Sequence, residues 1–357
     1  MSHSMLRELF LHHDWAWERL LSAAGGLSDE QIDRSLDGTG PLRVILHHMW
    51  AAERLWLDRW TGKPVPFLTE PEPDLPLAEL GDRVRVNATE RDAFLDEGGD
   101  AAESRRITCE HGKGKAMTHA LGDMMLHVTN HGVHHRAQAL GFIRRAGGKV
   151  PSVDYLFYKL ERPSVALEPD AVAKLNQAGV TAGASTYPAA RLQADTIRDY
   201  YRYADWARER VHAVARTLGA EDLDRPFEAG VGTIRRTLLH IHDAEKWWSA
   251  SWSGSQPGGF VAAPETTSIA ELDGRFDETA AARDRFLDGL AGHDLARVVR
   301  SAPAADLSLA FRLGESMLQL CTHGTHHRGQ VLNMLRVIGA DVPSLDYLDW
   351  VTGESRA

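Results

Sequence analysis

The sequence predicts an all-α protein made of two tandem four-helix bundles that are related by a pseudo-two-fold axis. Three observations predict this architecture: a long internal repeat, four amphipathic segments in each copy of the repeat, and weak strand signals throughout. The chain of 357 residues also exceeds the roughly 100 to 200 residues that usually make one domain, which favours two domains.

The repeat is clearest in two stretches that lie 192 residues apart. Residues 131–158 read HGVHHRAQALGFIRRAGGKVPSVDYLFY, and residues 323–350 read HGTHHRGQVLNMLRVIGADVPSLDYLDW. Upstream the offset is 191, because one residue was inserted near 226–232 in the second copy. The predicted domains are residues 1–161 and 192–357, with 162–191 as a linker in which Pro, Gly, Ala and Ser interrupt any helical period.

Each copy contains four segments with helical periodicity. They lie at about 4–24, 41–61, 76–97 and 117–146 in the first copy, and at about 192–217, 232–253, 267–291 and 314–338 in the second. Pro41 suits a first helical turn, whereas Gly147 and Gly339 suit helix ends. Short extended segments are candidates at Arg106–Cys109 and Asp306–Phe311.

Composition excludes several classes of function. Forty basic against fifty acidic side chains leave a formal charge of −10, which disfavours nucleic acid as a partner because phosphate backbones attract basic surfaces. No apolar run approaches the roughly 20 residues of a membrane-spanning helix, and the N-terminus lacks the apolar stretch of a signal peptide. Cys109 and Cys321 occupy different places in the two copies, so no disulfide framework is indicated. We therefore expect a cytoplasmic protein.

Histidine is the unusual component of this sequence, with 18 residues that fall mostly in short clusters. The apolar stripe of the fourth segment is interrupted by His131 and His135, and in the second copy by His323 and His327. Side chains four residues apart on a helix share one face, so both imidazoles of a pair are able to reach one metal ion.

A third histidine lies on the inner stripe of the second segment, at His48 in the first copy and His240 in the second. His47 is a rival to His48, but Leu239 occupies its equivalent place, which favours His48. A lone histidine on an apolar face is usually a hydrogen-bonded core residue, whereas matched triads in both copies indicate a metal site. Three nitrogen ligands with an open position are typical of catalytic rather than structural zinc sites.

The remaining histidines receive lesser roles. His134 and His326 are predicted to support the ligands through contacts with them. His127 is predicted to assist the site without binding the ion, since its counterpart is Gln319. His12, His13 and His242 lack counterparts and are expected at the surface or in local packing. For two further matched pairs a substrate contact and ordinary helix pairing both stay open: Arg136 with Arg328, and Gln138 with Gln330.

A zinc protease of the helical His-Glu type is excluded, because Gly132 and Gly324 follow the first histidine of each pair. The blocks HGVHHRAQ and HGTHHRGQ, together with the second-segment histidine and the Ala-Glu pair after it, resemble the DinB-like (YfiT-like) metalloprotein superfamily over nearly all of each half. The resemblance implies a four-helix bundle with three histidine ligands for zinc, nickel or a similar ion. Transferred position by position, these ligands are His48, His131 and His135, and then His240, His323 and His327.

The same resemblance implies the activity. The superfamily includes thiol-dependent S-transferases and isomerases as well as metal-dependent hydrolases, and its members often pair as homodimers. We expect a thiol-dependent S-transferase that acts on a small molecule, with a low-molecular-weight thiol as cosubstrate. A hydrolase and a non-catalytic metal-binding stress-response protein are the alternatives. Hydrolysis needs a nearby carboxylate base, and Glu53 and Glu245 lie off the inner stripe. Fusion of two copies predicts an intramolecular pseudo-dimer that is monomeric in solution.

Overall fold

The computed structural model describes residues 3–36, 40–63, 68, 72, 74–99, 103–110, 116–255, 266–304 and 307–353. Most of these residues are helical, which confirms the all-α prediction. Among the helices in these ranges, none combines the length and the apolar character that crossing a bilayer requires.

The four helices predicted for the first copy are all present. In chain order the elements are β1 (His3–Ser4), α1 (Met5–Ala24), the short α2 (Asp29–Asp33), α3 (Leu42–Trp60), α4 (Leu77–Gly98), β2 (Arg106–Glu110), β3 (Ala116–Ala120), α5 (Leu121–Arg145) and α6 (Tyr155–Glu161). The predicted extended segment at Arg106–Cys109 lies in β2, which pairs antiparallel with β3. The fourth helix therefore begins later than expected, because residues 117–120 are held in this hairpin.

The second copy repeats this order. After α7 (Pro169–Gln177), which has no counterpart in the first copy, its elements are β4 (Ala190–Arg191), α8 (Ala194–Ala215), the short α9 (Ala220–Leu223), α10 (Ile234–Trp252), α11 (Ile269–Asp288), a 3-10 turn (Gly292–Ala296), β5 (Val298–Ala304), β6 (Leu307–Arg312), α12 (Leu313–Val337) and α13 (Tyr347–Thr352). Helix α7 lies inside the stretch predicted to be a linker. The second predicted extended segment is Asp306–Phe311. Asp306 is outside the described residues, and the rest of the segment lies in β6, which pairs with β5.

The chain forms two compact units that are not the two consecutive halves of the sequence. Leu9–Pro151 and Ser344–Ala357 form one unit, here called the first bundle. Met1–Glu8 and Ser152–Pro343 form the other, here called the second bundle. Each copy therefore places its last short helix in the bundle of the other copy: α6 packs on α12, and α13 packs on α5.

The inner helices of each bundle are paired in the same way. Helix α3 packs on α5 and α4 in the first bundle, and α10 packs on α12 and α11 in the second. Large apolar side chains fill the centre of each bundle and are removed from water, which is the main favourable term in folding: Trp17, Leu46, Phe142, Ile234, Trp252 and Leu335.

Matched ion pairs show that the two copies are structurally equivalent. Arg91 on α4 binds Asp14 on α1 with a closest N···O distance of 2.6 Å. The corresponding pair in the second copy, Arg283 and Asp205, has a distance of 2.5 Å. This agreement supports the offset of 191 for the first helix of each copy and 192 for the later ones, so residues of the two bundles are compared by those offsets below.

Candidate metal centres

Three imidazoles meet in the first bundle. His48 projects from α3, and His131 and His135 project from the same face of α5. The Nε2 atoms of His48 and His131 are 3.1 Å apart, and one ligand atom from each of the three rings lies within 4.8 Å of the other two. Tetrahedral coordination with metal–nitrogen bonds of about 2.0 to 2.1 Å separates neighbouring nitrogens by about 3.3 Å. The spacing therefore fits a single bound ion.

The second bundle repeats the arrangement almost without change. His240 projects from α10 and faces His323 and His327 on α12. The Nε2 atoms of His240 and His323 are also 3.1 Å apart. Ring centroids of His323 and His327 are 4.4 Å apart, the same distance as for His131 and His135 in the first bundle. Two triads of the same shape are the expected product of a duplicated site.

Burial favours the neutral form of the imidazoles of His48, His131, His240 and His323. Desolvation, followed by the neighbouring histidines, lowers the pKa of His131 and His323 well below the ordinary value. Desolvation likewise lowers the pKa of His48 and His240. Only the neutral ring has a nitrogen lone pair to offer to a metal, so burial prepares the triads for an ion near neutral pH.

A glutamine fixes the tautomer of the last histidine in each triad. The Oε1 atom of Gln138 lies 3.0 Å from Nδ1 of His135, and Oε1 of Gln330 lies 2.7 Å from Nδ1 of His327. Because the amide oxygen accepts, Nδ1 carries the proton and the Nε2 lone pair is free to bind an ion. In the sequence this pair of glutamines was left open between substrate contact and ordinary helix pairing.

Comparison with known families assigns the chain to one of them. A family model described as the DinB family matches residues 1–169 and, a second time, residues 191–356. The chain belongs to the DinB family. No curated protein matches the sequence significantly. Each DinB copy contains one triad of histidines, and family and triads together are compatible with a divalent metal ion.

The two DinB copies differ beside the triad. Nδ1 of His127 in the first copy lies 2.8 Å from Oδ1 of Asp346, and its ring packs edge-on against Trp56. In the second bundle Gln319 takes the place of His127 and hydrogen-bonds Asp154, the counterpart of Asp346. His127 belongs to neither of the two triads that converge among the described residues.

Support for the second triad also comes from a histidine, as the sequence suggested. Nε2 of His326 lies 2.9 Å from the amide nitrogen of Gln330, which therefore donates to it. The amide is held between two imidazoles, since its oxygen accepts from His327. His326 thus acts on the triad through Gln330.

Glu53 and Glu245, which lie five residues after the second-segment histidines, are occupied elsewhere. Glu53 Oε1 accepts hydrogen bonds from His13 and Trp17, both at 2.8 Å. Burial opposes ionisation of Glu53, but His13 and Trp17 outweigh it and lower its pKa. Glu245 Oε1 accepts from Arg283 at 2.8 Å, and burial raises its pKa. Neither carboxylate belongs to a triad.

His13 was not identified from the sequence as part of an interior network. Its Nδ1 accepts a hydrogen bond from Arg136 at 2.8 Å, while its Nε2 donates to Glu53. The expectation that His12, His13 and His242 lie at the surface is wrong, since their exposed fractions are 2%, 1% and 3%. The local-packing alternative holds for them.

Proposed function

We propose that this DinB-family chain is a metal-dependent enzyme with a divalent-ion site in each copy, and that the ion is zinc or nickel. The support is the convergence of three imidazoles from two helices, repeated in both bundles with the same spacing. The ligands in this proposal are His48, His131 and His135 in the first copy, and His240, His323 and His327 in the second.

The proposed reaction is transfer to the sulfur of a low-molecular-weight thiol from an electrophilic small molecule. A divalent ion bound by three nitrogens supplies an open position at which a thiol or water loses its proton near neutral pH. In the chain, Gln138 and Gln330 hold the last imidazole of each triad with Nε2 facing the shared centre. The proposal places the protein in the cytoplasm, where thiols stay reduced.

The engagement of Glu53 and Glu245 favours thiol transfer over hydrolysis. A hydrolase of this type requires a base that takes a proton from water, and these two carboxylates bind His13, Trp17 and Arg283 instead. A non-catalytic stress-response role is the other alternative. In that case the ion would act only by stabilising the folded state.

Metal analysis of protein purified without a histidine tag tests the proposal first. We expect two ions per chain, and one ion per chain after either His135→Ala or His327→Ala. A catalytic site predicts that the double variant still folds but loses transfer of an electrophilic group to a panel of thiols. A purely structural ion predicts a large fall in thermal stability instead. Absence of stoichiometric metal from the wild-type chain would contradict both roles.

We also propose that the two copies form an intramolecular pseudo-dimer and that the chain is monomeric. The support is that each compact unit contains the last short helix of the other copy, as if two chains had exchanged ends. Sedimentation equilibrium measures this directly. A stable tetramer of bundles would contradict it.

A further inference from the structure

The first bundle has an imidazole packed between α1, α3 and α5, on a different face of α5 from the triad. His13 is 1% exposed and bridges two buried charged groups, accepting from Arg136 and donating to Glu53. A Cβ atom on Gly132 would lie 2.3 Å from the ring, so glycine is needed at that position. Ring, guanidinium and carboxylate form one satisfied buried network.

In the second bundle the ring is missing but its surroundings remain. Ala204 occupies the place of His13, and Arg208 occupies the place of Trp17. A cavity lies there, and the lining residues that matter here are Ala204, Arg208, Glu245, Gly324 and Arg328. Gly324 is retained as well, and a Cβ atom on it would lie 2.8 Å from Nη1 of Arg328, so this glycine leaves room for the guanidinium that borders the cavity.

Arg328 and Glu245, which line this cavity, lack hydrogen-bond partners that Arg136 and Glu53 have in the first bundle. Arg328 is 4% exposed, and within the described part of the chain it pairs with no carboxylate and makes one hydrogen bond, to Thr325 Oγ1 at 3.3 Å. Among the described residues, Glu245 is held by Arg283 and accepts from no imidazole or indole, unlike Glu53. A buried guanidinium with so little hydrogen bonding is costly, and a ligand that satisfies it recovers that free energy.

We propose that this cavity binds a small planar molecule that accepts a hydrogen bond from Arg328 and donates one to Glu245, as the ring of His13 does between Arg136 and Glu53. The ligand class is a neutral nitrogen heterocycle of imidazole size. The binding is non-covalent and takes place on the α8 side of α12, whereas His323 and His327 face α10. The inference does not depend on the metal chemistry proposed above.

Imidazole is the probe for this site, and Ala204→His is the matched control. The metal-loaded full-length chain is titrated with imidazole and followed by saturation-transfer NMR. Imidazole also reaches open metal positions, but the control retains all six histidines of the triads and differs only in filling the cavity with its own ring. We expect a saturable site in the wild-type chain that is lost in Ala204→His, and a crystal soaked with imidazole to show the ring between Arg328 and Glu245.

A second variant tests the same cavity in case Ala204→His does not fold. Ala204→Val fills the same space with two methyl groups and needs no hydrogen-bond partner. Loss of the site in either folded variant, with the metal content unchanged, supports the proposal. If a folded variant keeps all of the wild-type imidazole binding, or if the soaked ring is found only at the triads, the cavity is not a ligand site.

Discussion

At the scale of single residues, the orientation of the triads depends on two glutamines. Gln138 and Gln330 each accept the Nδ1 proton of the last histidine, and such partners typically contribute about 10- to 100-fold to metal affinity. We therefore expect Gln138→Leu to weaken metal binding at the first site by about 10-fold or more without changing the fold. Competition with a chromophoric chelator measures the affinity of each site.

The two copies provide the control for this prediction. Gln138→Glu keeps an oxygen acceptor and should restore most of the affinity, whereas Gln330→Leu should weaken only the second site. Equal affinity for Gln138→Leu and wild type would mean that the contact with His135 does not orient the ring.

The sequence identified the residues that come together in the triads, but not the groups that hold them. Periodicity places His131 and His135 on one face, and the repeat separates His48 from His47. The role of His13 depends on contacts across helices, and no spacing within one helix shows which side chain of α1 faces which side chain of α5. Gln138 was singled out from the sequence, but its contact with His135 was found only in the structure.

At the scale of helices, two glycines that look equivalent in sequence have different neighbours. A Cβ on Gly132 would lie 2.3 Å from the buried ring of His13, whereas a Cβ on Gly324 would lie 2.8 Å from Nη1 of Arg328, the movable end of a long side chain. Overpacking of a core costs about 1 to 3 kcal/mol, and alanine in a helix gains up to about 1 kcal/mol over glycine.

We therefore expect Gly132→Ala to lower the free energy of unfolding by about 1 to 2 kcal/mol. Gly324→Ala should leave it unchanged or raise it slightly. Urea denaturation of the two variants measures the difference. Equal effects would show that the ring of His13 moves aside as easily as the guanidinium of Arg328.

The aspartates that cap α6 and α13 predict how the stability of the folded state depends on pH. Burial raises the pKa of Asp154, the cap of α6, to about 6, whereas Asp in an unfolded chain titrates near 3.9. The folded state binds the proton more tightly, so this contribution to stability is fully present below about pH 4 and is lost as the pH rises through about 6. Asp154→Asn keeps a capping oxygen without the charge, so we expect it to be more stable than wild type near pH 7 but not near pH 4.

Asp346 is the matched position for this experiment. It caps α13 and pairs with His127, so Asp346→Asn should lose stability near neutral pH rather than gain it. Urea denaturation at a series of pH values compares the variants. A pH dependence of Asp154→Asn that is identical to wild type would contradict the assignment to Asp154.

Helix positions were predicted well because the apolar period extends over many turns, and the short elements were predicted poorly. The fourth segment was expected from residue 117, but residues 116–120 pair with 106–110 as a hairpin. The paired positions of this hairpin run from Glu110 with Ala116 to Arg106 with Ala120, and helical periodicity gives no signal for such pairing. Helix α7 was missed because its nine residues give little more than two turns of periodicity.

At the scale of the whole molecule, the repeat shows that two copies exist but not which bundle each segment joins. The blocks that contain Tyr155 and Tyr347 match each other, and both follow the triad helix of their own copy. In the structure Tyr155 belongs to the second bundle and Tyr347 to the first. Sequence similarity is the same for exchanged and unexchanged ends, so only packing distinguishes them.

The exchanged ends lead to a test in which each substitution destabilises the opposite copy. Tyr155 is 1% exposed and donates to Glu8 at 2.8 Å, and Tyr347 is 3% exposed. Truncation of a buried aromatic side chain typically costs about 3 to 5 kcal/mol, so both variants should lose protection from amide hydrogen exchange. We expect Tyr155→Ala to accelerate exchange in α12 of the second copy and Tyr347→Ala to accelerate it in α5 of the first. Faster exchange in the helix of the same copy, in either variant, would mean that the ends are not exchanged in solution and would contradict the pseudo-dimer.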